Sequence, residues 1–297
     1  MTTLIQRVGD NMTQESSAQG LISTLRGFKL DASYAQKIVD VANEIANTQP
    51  IDTSGIFEAM QRSASSLKAA GNTFEQGVSL ATAANSVVQD SQKIGTALKT
   101  ISMRIRGAST EMQQEGLDIE GMATSTSKLR AEIKALSGVD IMKNANEFKS
   151  TYDILDELSK KWSELTDIQQ ASVTELIAGK NQGNVMSALM SQFDIARDSL
   201  NTALNKSDGS AERELKNYQK GVEYSLDRIK ASFQEFSTIT LDSNIFKGIV
   251  DTGNAALNVV TSLISKFGGL QTAISGIAAY FLQKNGSGKQ TVCFILS

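Results

Sequence analysis

The chain contains no histidine at all. Histidine is the side chain that titrates near neutrality. Its absence removes the usual general base, the usual imidazole metal ligand and the usual middle member of a catalytic triad. The single cysteine, Cys293, excludes an intrachain disulfide and any cysteine metal cluster. Only one proline, Pro50, occurs in 297 residues. Proline lacks a backbone donor and breaks helix interiors, so its near absence permits long uninterrupted helices. Aromatic residues are 6% of the chain, while Ala, Ser, Gln and Leu are plentiful. That balance suits helices packed through small side chains better than a sheet. Neither sign of charge is in large excess: the formal net charge is −3, so no strong global attraction to nucleic acid or anionic lipid is expected. MTTLIQRVGD holds no apolar run of the kind a signal peptide needs, and the chain is expected to be made and first kept in a cytoplasm.

What is present is helical punctuation. The chain is long enough for one large or two ordinary domains with a sizeable core. Ser33 with Gln36, Thr73 with Gln76 and Thr166 with Gln169 fit the capping box, in which side chain and backbone satisfy each other's free groups. Ile38, Val41, Ala42 and Ile45 form one apolar stripe, and Ile56, Met60, Ala64 and Leu67 another. With Gly71-Asn72 as a stop, residues 31 to 107 read as four helices joined by short turns. A shorter helix from Lys128 to Leu136 should end at Ser137-Gly138, followed by a small extended or looped insert near 138–150. Helices are predicted again over Tyr152 to Leu165, Thr166 to Ala178 and Asn184 to Phe193, the last two separated by GKNQG (179–183). SDGS (207–210) precedes a long helix within 206–244. There Leu215, Tyr218, Val222, Leu226, Ile229, Phe233 and Phe236 follow the spacing of a coiled-coil seam for about three heptads. The predicted architecture is all-α: short antiparallel helices up to about residue 205, longer ones beyond. Its divisions are an N-terminal segment (1–30), a helical core (31–205), the long helix (206–244), a hydrophobic segment (245–284) and a tail (285–297).

No charged residue stands between Asp251 and Lys266, nor between Lys266 and Lys284. The second run, FGGLQTAISGIAAYFLQ, has 17 residues, short of the roughly 20 that cross a bilayer. Its Gln, Thr and Ser content favours a buried or partner-packed helix pair over membrane entry.

Three stretches could carry chemistry. NGSGKQT (285–291) resembles the end of a phosphate loop, but Gln283 and Gln290 stand where Gly and Ser or Thr are required. GKNQGN (179–184) could cradle an anion, yet glycines and one lysine are ordinary at interhelical joints. Asp153 and Glu157 lie four apart on one face, where pairing with Lys160 and Lys161 is the default for exposed carboxylates. No catalytic, cofactor-binding or metal-ligating residue is assigned, and no cofactor or enzymatic activity is expected.

The most informative helix lies within VVQDSQKIGTALKTISMRIRGA (87–108), where four cations occur and no acid intervenes between Asp90 and Glu111. Wound at 100° per residue, Ile94, Ala97, Leu98, Ile101 and Ile105 share one narrow stripe. Lys93 and Arg104 flank it on one side, Lys99 and Arg106 on the other. Long basic side chains can lie along such a seam and keep their charges in water. Gly107 should stop the helix, with Arg104 and Arg106 placed against the negative end of its dipole. The helix therefore reads as a packing or partner helix through Ile94, Leu98, Ile101 and Ile105, with a basic flank. Without further cations and planar side chains nearby, no sequence-specific nucleic acid is expected.

The phrases RSASSLKAAGNTFEQGVSLATAANSVVQD, KIGTALKTISMRIRGA, SKLRAEIKALSGVDIM and ELIAGKNQGNVMSALMSQFDIARDSLNTALN closely resemble tail tape measure proteins of phages and prophages of Gram-positive bacteria. The resemblance runs from about Asp31 to about Leu241. Ser91 stands where many such proteins have a helix-starting proline, and Asn181 where many have arginine.

The resemblance implies a largely helical structural protein of the virion that lines the lumen of the tail tube and sets tail length by its own extended length. It also implies partners: tail-tube, tail-chaperone and tail tip proteins, and other copies of itself. Assembly would take place in the host cytoplasm, with a role at the host membrane during genome delivery. Tape measure proteins are usually much longer. At about 1.5 Å per residue, even a fully helical chain of this length reaches only roughly 450 Å, so a fragment or truncated form is expected. Two other readings stay open: a membrane-active helical protein inserting 245–284, and a cell-wall hydrolase drawing on the acidic pairs.

Overall fold

The first four amides of a helix have no intrahelical acceptor, so a short polar side chain just before the helix determines where it starts. This chain uses the device repeatedly. A computed structural model describes residues 4–5, 9, 12–217 and 219–220, all within one compact unit, Met1–Lys220. Helix α1 (Gln14–Phe28) starts at Thr13, whose hydroxyl reciprocates with Ser16. Helix α2 spans Ala35–Thr48, and α3 (Thr53–Ala69) is capped by Asp52, which accepts from Gly55 N at 2.6 Å. Helix α4 (Phe74–Val88) begins with the Thr73–Gln76 box, and α5 (Ser91–Ile105) with Asp90, which accepts from Lys93 N. The short α6 (Ser109–Gln114) precedes a loop, then α7 (Thr126–Ser137) ends at Gly138. Helix α8 (Thr151–Lys161) is capped by Ser150, and α9 (Asp167–Ala178) by the Thr166–Gln169 box. Helices α10 (Gly183–Ser191) and α11 (Phe193–Asn205) follow, and residues 210–217 are helical again. The protein is all-α. Among the described residues no strand forms; the insert near 138–150 contributes one isolated antiparallel bridge, Met142–Phe148.

Two local expectations need correction. The Ser33–Gln36 box does not form. Asp31, an ionised and stronger acceptor two residues earlier, takes Ser33 N instead, and the chain makes a 3-10 turn at Ala32–Tyr34. Gln36 turns to Asp40 at 3.1 Å, and α2 begins with no side-chain cap. The helix expected over Asn184 to Phe193 stops at Ser191; Gln192 breaks the ladder, and Phe193 opens a new helix. Apart from Leu215, the expected coiled-coil seam lies outside the described residues, as do the hydrophobic segment 245–284 and the tail 285–297.

Helix α3 is central. It packs against α1 on one side and α5 on the other, while α4 receives α10 and α11. Ile56, Met60, Ala64 and Leu67 from α3 meet the stripe of α5 in one continuous core. At Gly95 the α3 and α5 backbones approach so closely that an added Cβ would sit 2.7 Å from Ala59 O. Only glycine allows that approach, and it brings the flanking apolar side chains into full contact.

Candidate functional site

Helix α5 carries the residues singled out from the sequence. Ile94, Ala97, Leu98, Ile101 and Ile105 are all fully buried in the core. Gly107, at φ +69°, ends the helix in the left-handed conformation. The four cations part company. Lys93 is exposed at the first turn, and Lys99 forms an ion pair with Glu115 in the loop after α6. The two arginines turn inward.

Arg104 is 1% exposed. Its guanidinium donates to four main-chain carbonyls: Nε to Leu176 O at 3.2 Å, Nη1 to Asp118 O at 3.1 Å, and Nη2 to Glu120 O at 3.0 Å and Glu175 O at 2.9 Å. Glu175 and Leu176 lie in the last turn of α9, where a cation is favoured; Glu175 O also accepts from Gly179 N at 3.0 Å, while the carbonyl of Leu176 lies past the last bond of the helix ladder. Burial pulls the Arg104 pKa down, against the upward influence of Asp118 and Glu175, but an arginine remains charged in proteins. One side chain of α5 thus closes the end of α9 and ties down the loop around 118–120.

Arg106 does the same for a second pair of elements. Its Nη2 donates to Ala70 O, at the end of α3, and to Lys149 O at 2.9 Å, while its guanidinium carbon lies 4.4 Å from the centroid of the Phe148 ring. Burial lowers its pKa too. The insert it holds is braced from α7, where Arg130 grips Asp140 with two bonds of 2.7 and 2.6 Å and keeps that carboxyl well below the usual range.

The expectation that these cations keep their charges wet is therefore wrong for Arg104 and, in part, for Arg106. Their donors also reach the C-terminal ends of α9 and α3 rather than that of α5. A single-helix projection cannot show that α9 and the 115–125 loop cover the flank.

The expected pairing of Asp153 and Glu157 with Lys160 and Lys161 does not form: Glu157 pairs with Lys149 at 2.7 Å, Asp156 takes Lys160 at 2.5 Å and Arg197 at 2.6 Å, and Lys161 donates to Gly138 O at 3.4 Å. At the 179–183 turn, Lys180 meets Glu120 at 2.5 Å and Asn181 approaches Asp118. Beside α9 an open groove of 580 Å³ is lined by Trp162, Gln170, Thr174, Glu175, Lys180 and Ser187, among others. Among the described residues no group of three or more acidic, histidine or cysteine side chains could hold a metal ion. Sequence reading missed α1, although Thr13, Leu21 and Phe28 signal it, and missed the role of α2's polar face. That role had no local signal, because its partners lie about 170 positions away.

An all-α bundle in which buried arginines fasten helix ends does not by itself name a function. The model of the phage-related minor tail protein family matches residues 2–179, more than half of the chain. The chain belongs to that family, and so is a structural component of a phage tail that works among other tail proteins. No solved structure matches it.

Proposed function

We propose that within the tail this chain acts as a tape measure protein: it sets tail length, scaffolds assembly of the tube in the host cytoplasm, and comes to lie in the tube lumen. The observation that carries the reading is helical continuity. Within the stretch matched by the family model, α1 to α9 follow one another through turns, the 115–125 loop and one irregular insert. Such a chain can be drawn out into a rod whose length grows by about 1.5 Å per residue. The resemblance of residues 31–241 to tape measure proteins of Gram-positive phages supports the same reading. Its partners would be tube, chaperone and tip proteins and further copies of itself.

The test is genetic and geometric. Deleting residues 109–137 in frame, 29 positions, should shorten tails by about 45 Å on electron micrographs. Tails of parental length would sink the reading. A role in genome delivery at the host membrane rests on the uncharged stretch between Lys266 and Lys284. Among the described residues no helix is long and apolar enough to cross a membrane. Permeabilisation of liposomes by the full chain, lost on deletion of 245–284, would support that role; intact liposomes would remove it.

A further inference from the structure

The polar face of α2 grips the start of another helix. Asp40 is a buried carboxylate, 4% exposed. Its Oδ2 accepts from Gly209 N and its Oδ1 from Ala211 N, both at 3.1 Å. The helix over 210–217 is preceded by Gly209, at φ +70°, which has no side chain with which to cap it. Asp40 supplies the cap from a distant part of the chain. Around it, Asn43 donates to Ser210 Oγ at 3.0 Å and Glu214 Oε2 at 2.8 Å. Glu44 accepts from Ser210 Oγ at 2.7 Å and pairs with Arg213 at 3.4 Å, and Asn47 donates to Glu214 at 2.5 Å. Residues 40, 43, 44 and 47 fall on one face of α2 by helical spacing.

This contact differs in kind from the rest of the molecule. In the helix over 210–217 the apolar side chains are Ala211, a small residue buried in the core, and Leu215, which is half-buried. Just before that helix, α11 packs on α4 and buries Phe193, Ala196 and Ala203 in the core. Water can replace each polar contact on both faces, so separation exposes little apolar surface and requires far less than unfolding the bundle. The fit is also incomplete, because Asn43 Oδ1 is buried without a partner.

We propose that Asp40, Asn43, Glu44 and Asn47 form a releasable clasp. The helix beginning at Ser210 lifts from α2 as a unit, turning at Gly209, while Gln14–Asn205 stays packed. The Asp40 carboxylate decides between the two states, because it alone holds both amides at that helix start and complements its positive end. Closed, the clasp holds residues 210–217 against α2; open, it frees the polar faces of both for other contacts.

Hydrogen exchange on the full chain tests this. In Asp40→Asn, which keeps the size but removes the charge and one acceptor, amides of residues 209–214 should exchange about tenfold faster. Amides of α4 and α5 should keep their rates. Glu214→Ala, on the outer side of the clasp, should speed the same amides by a smaller factor and leaves the Asp40 cap in place. Faster exchange in α4 and α5 in parallel, in either variant, would overturn the proposal, since the segment would then open only with the bundle. Unchanged exchange at 209–214 in both variants would overturn it as well.

Discussion

The α3–α5 seam and the junction after Asn205 are both contacts between helices, yet they are made from opposite materials. The seam joins Ile56, Met60, Ala64 and Leu67 to Ile94, Leu98, Ile101 and Ile105, with glycine at the closest approach. The junction joins carboxylates, amides and hydroxyls to backbone amides and a salt bridge. Apolar burial contributes about 25 cal/mol per Å², has no substitute in water, and so binds α3 and α5 into one cooperative unit. A polar contact competes with water and contributes only about 1 kcal/mol net. The difference teaches where this molecule holds and where it can part. Arg104 lies between the two extremes, a charge buried as deeply as the isoleucines and matched wholly by carbonyls.

The largest effect should come from the seam. Ile101→Asp places a carboxylate where nothing can solvate it and should destabilise by more than about 4 kcal/mol, seen as loss of a cooperative thermal transition by circular dichroism. A variant that still melts cooperatively near the parental temperature would break the contrast outright. Next comes Arg104→Met, which removes the side-chain donor from the carbonyls of Leu176, Asp118 and Glu120 and one of two donors from Glu175 O, and should cost about 3 kcal/mol in denaturant titration. Arg104→Lys, lacking the planar fork, should recover only part of the loss. A cost of a few tenths would place Arg104 with the surface charges rather than the core.

Gly95→Ala probes the closeness of the seam itself. Its Cβ would meet Ala59 O and Ala59 Cα at 2.7 and 3.0 Å, so overpacking should cost about 1–3 kcal/mol. Smaller again is a pH effect at the insert. The Arg130 bonds hold the Asp140 pKa below its ordinary 3.8, so the stabilisation is present above about pH 4 and is lost as pH falls below it. Melting temperature followed from pH 6 to pH 3 should fall less steeply in Asp140→Asn than in the parent. The smallest effect is expected at Lys93→Ala and Lys99→Ala, each within about 0.5 kcal/mol, because their heads are exposed or paired at the surface.

Much of the fold was legible because helix starts and stops are local. Thr73 with Gln76, Thr166 with Gln169, Gly107 and Gly138 act within four residues of themselves, and the structure uses each as its spacing implies. Ser33 failed because a stronger acceptor, Asp31, stood two residues away, a competition that composition alone does not rank. At the candidate site, the apolar stripe of α5 followed from its 3.6-residue period. The fate of its cations did not, since Lys93, Lys99, Arg104 and Arg106 look alike along the sequence.

By itself, then, the sequence determined an all-α chain, several of its helix ends and the buried stripes of α2, α3 and α5. The residue phrases also pointed to a phage tail protein, because they record a shared history that physics alone does not reveal. Tertiary structure decided which charges are wet and which are sealed. Arg104 is buried because α9, some 70 positions on, brings its C-terminal carbonyls over that flank. Asp40 caps a helix 170 positions away because only the folded bundle brings them together. Caps and periodicity act over a few residues and are written locally, whereas the partner of a buried charge is chosen by packing across the whole chain.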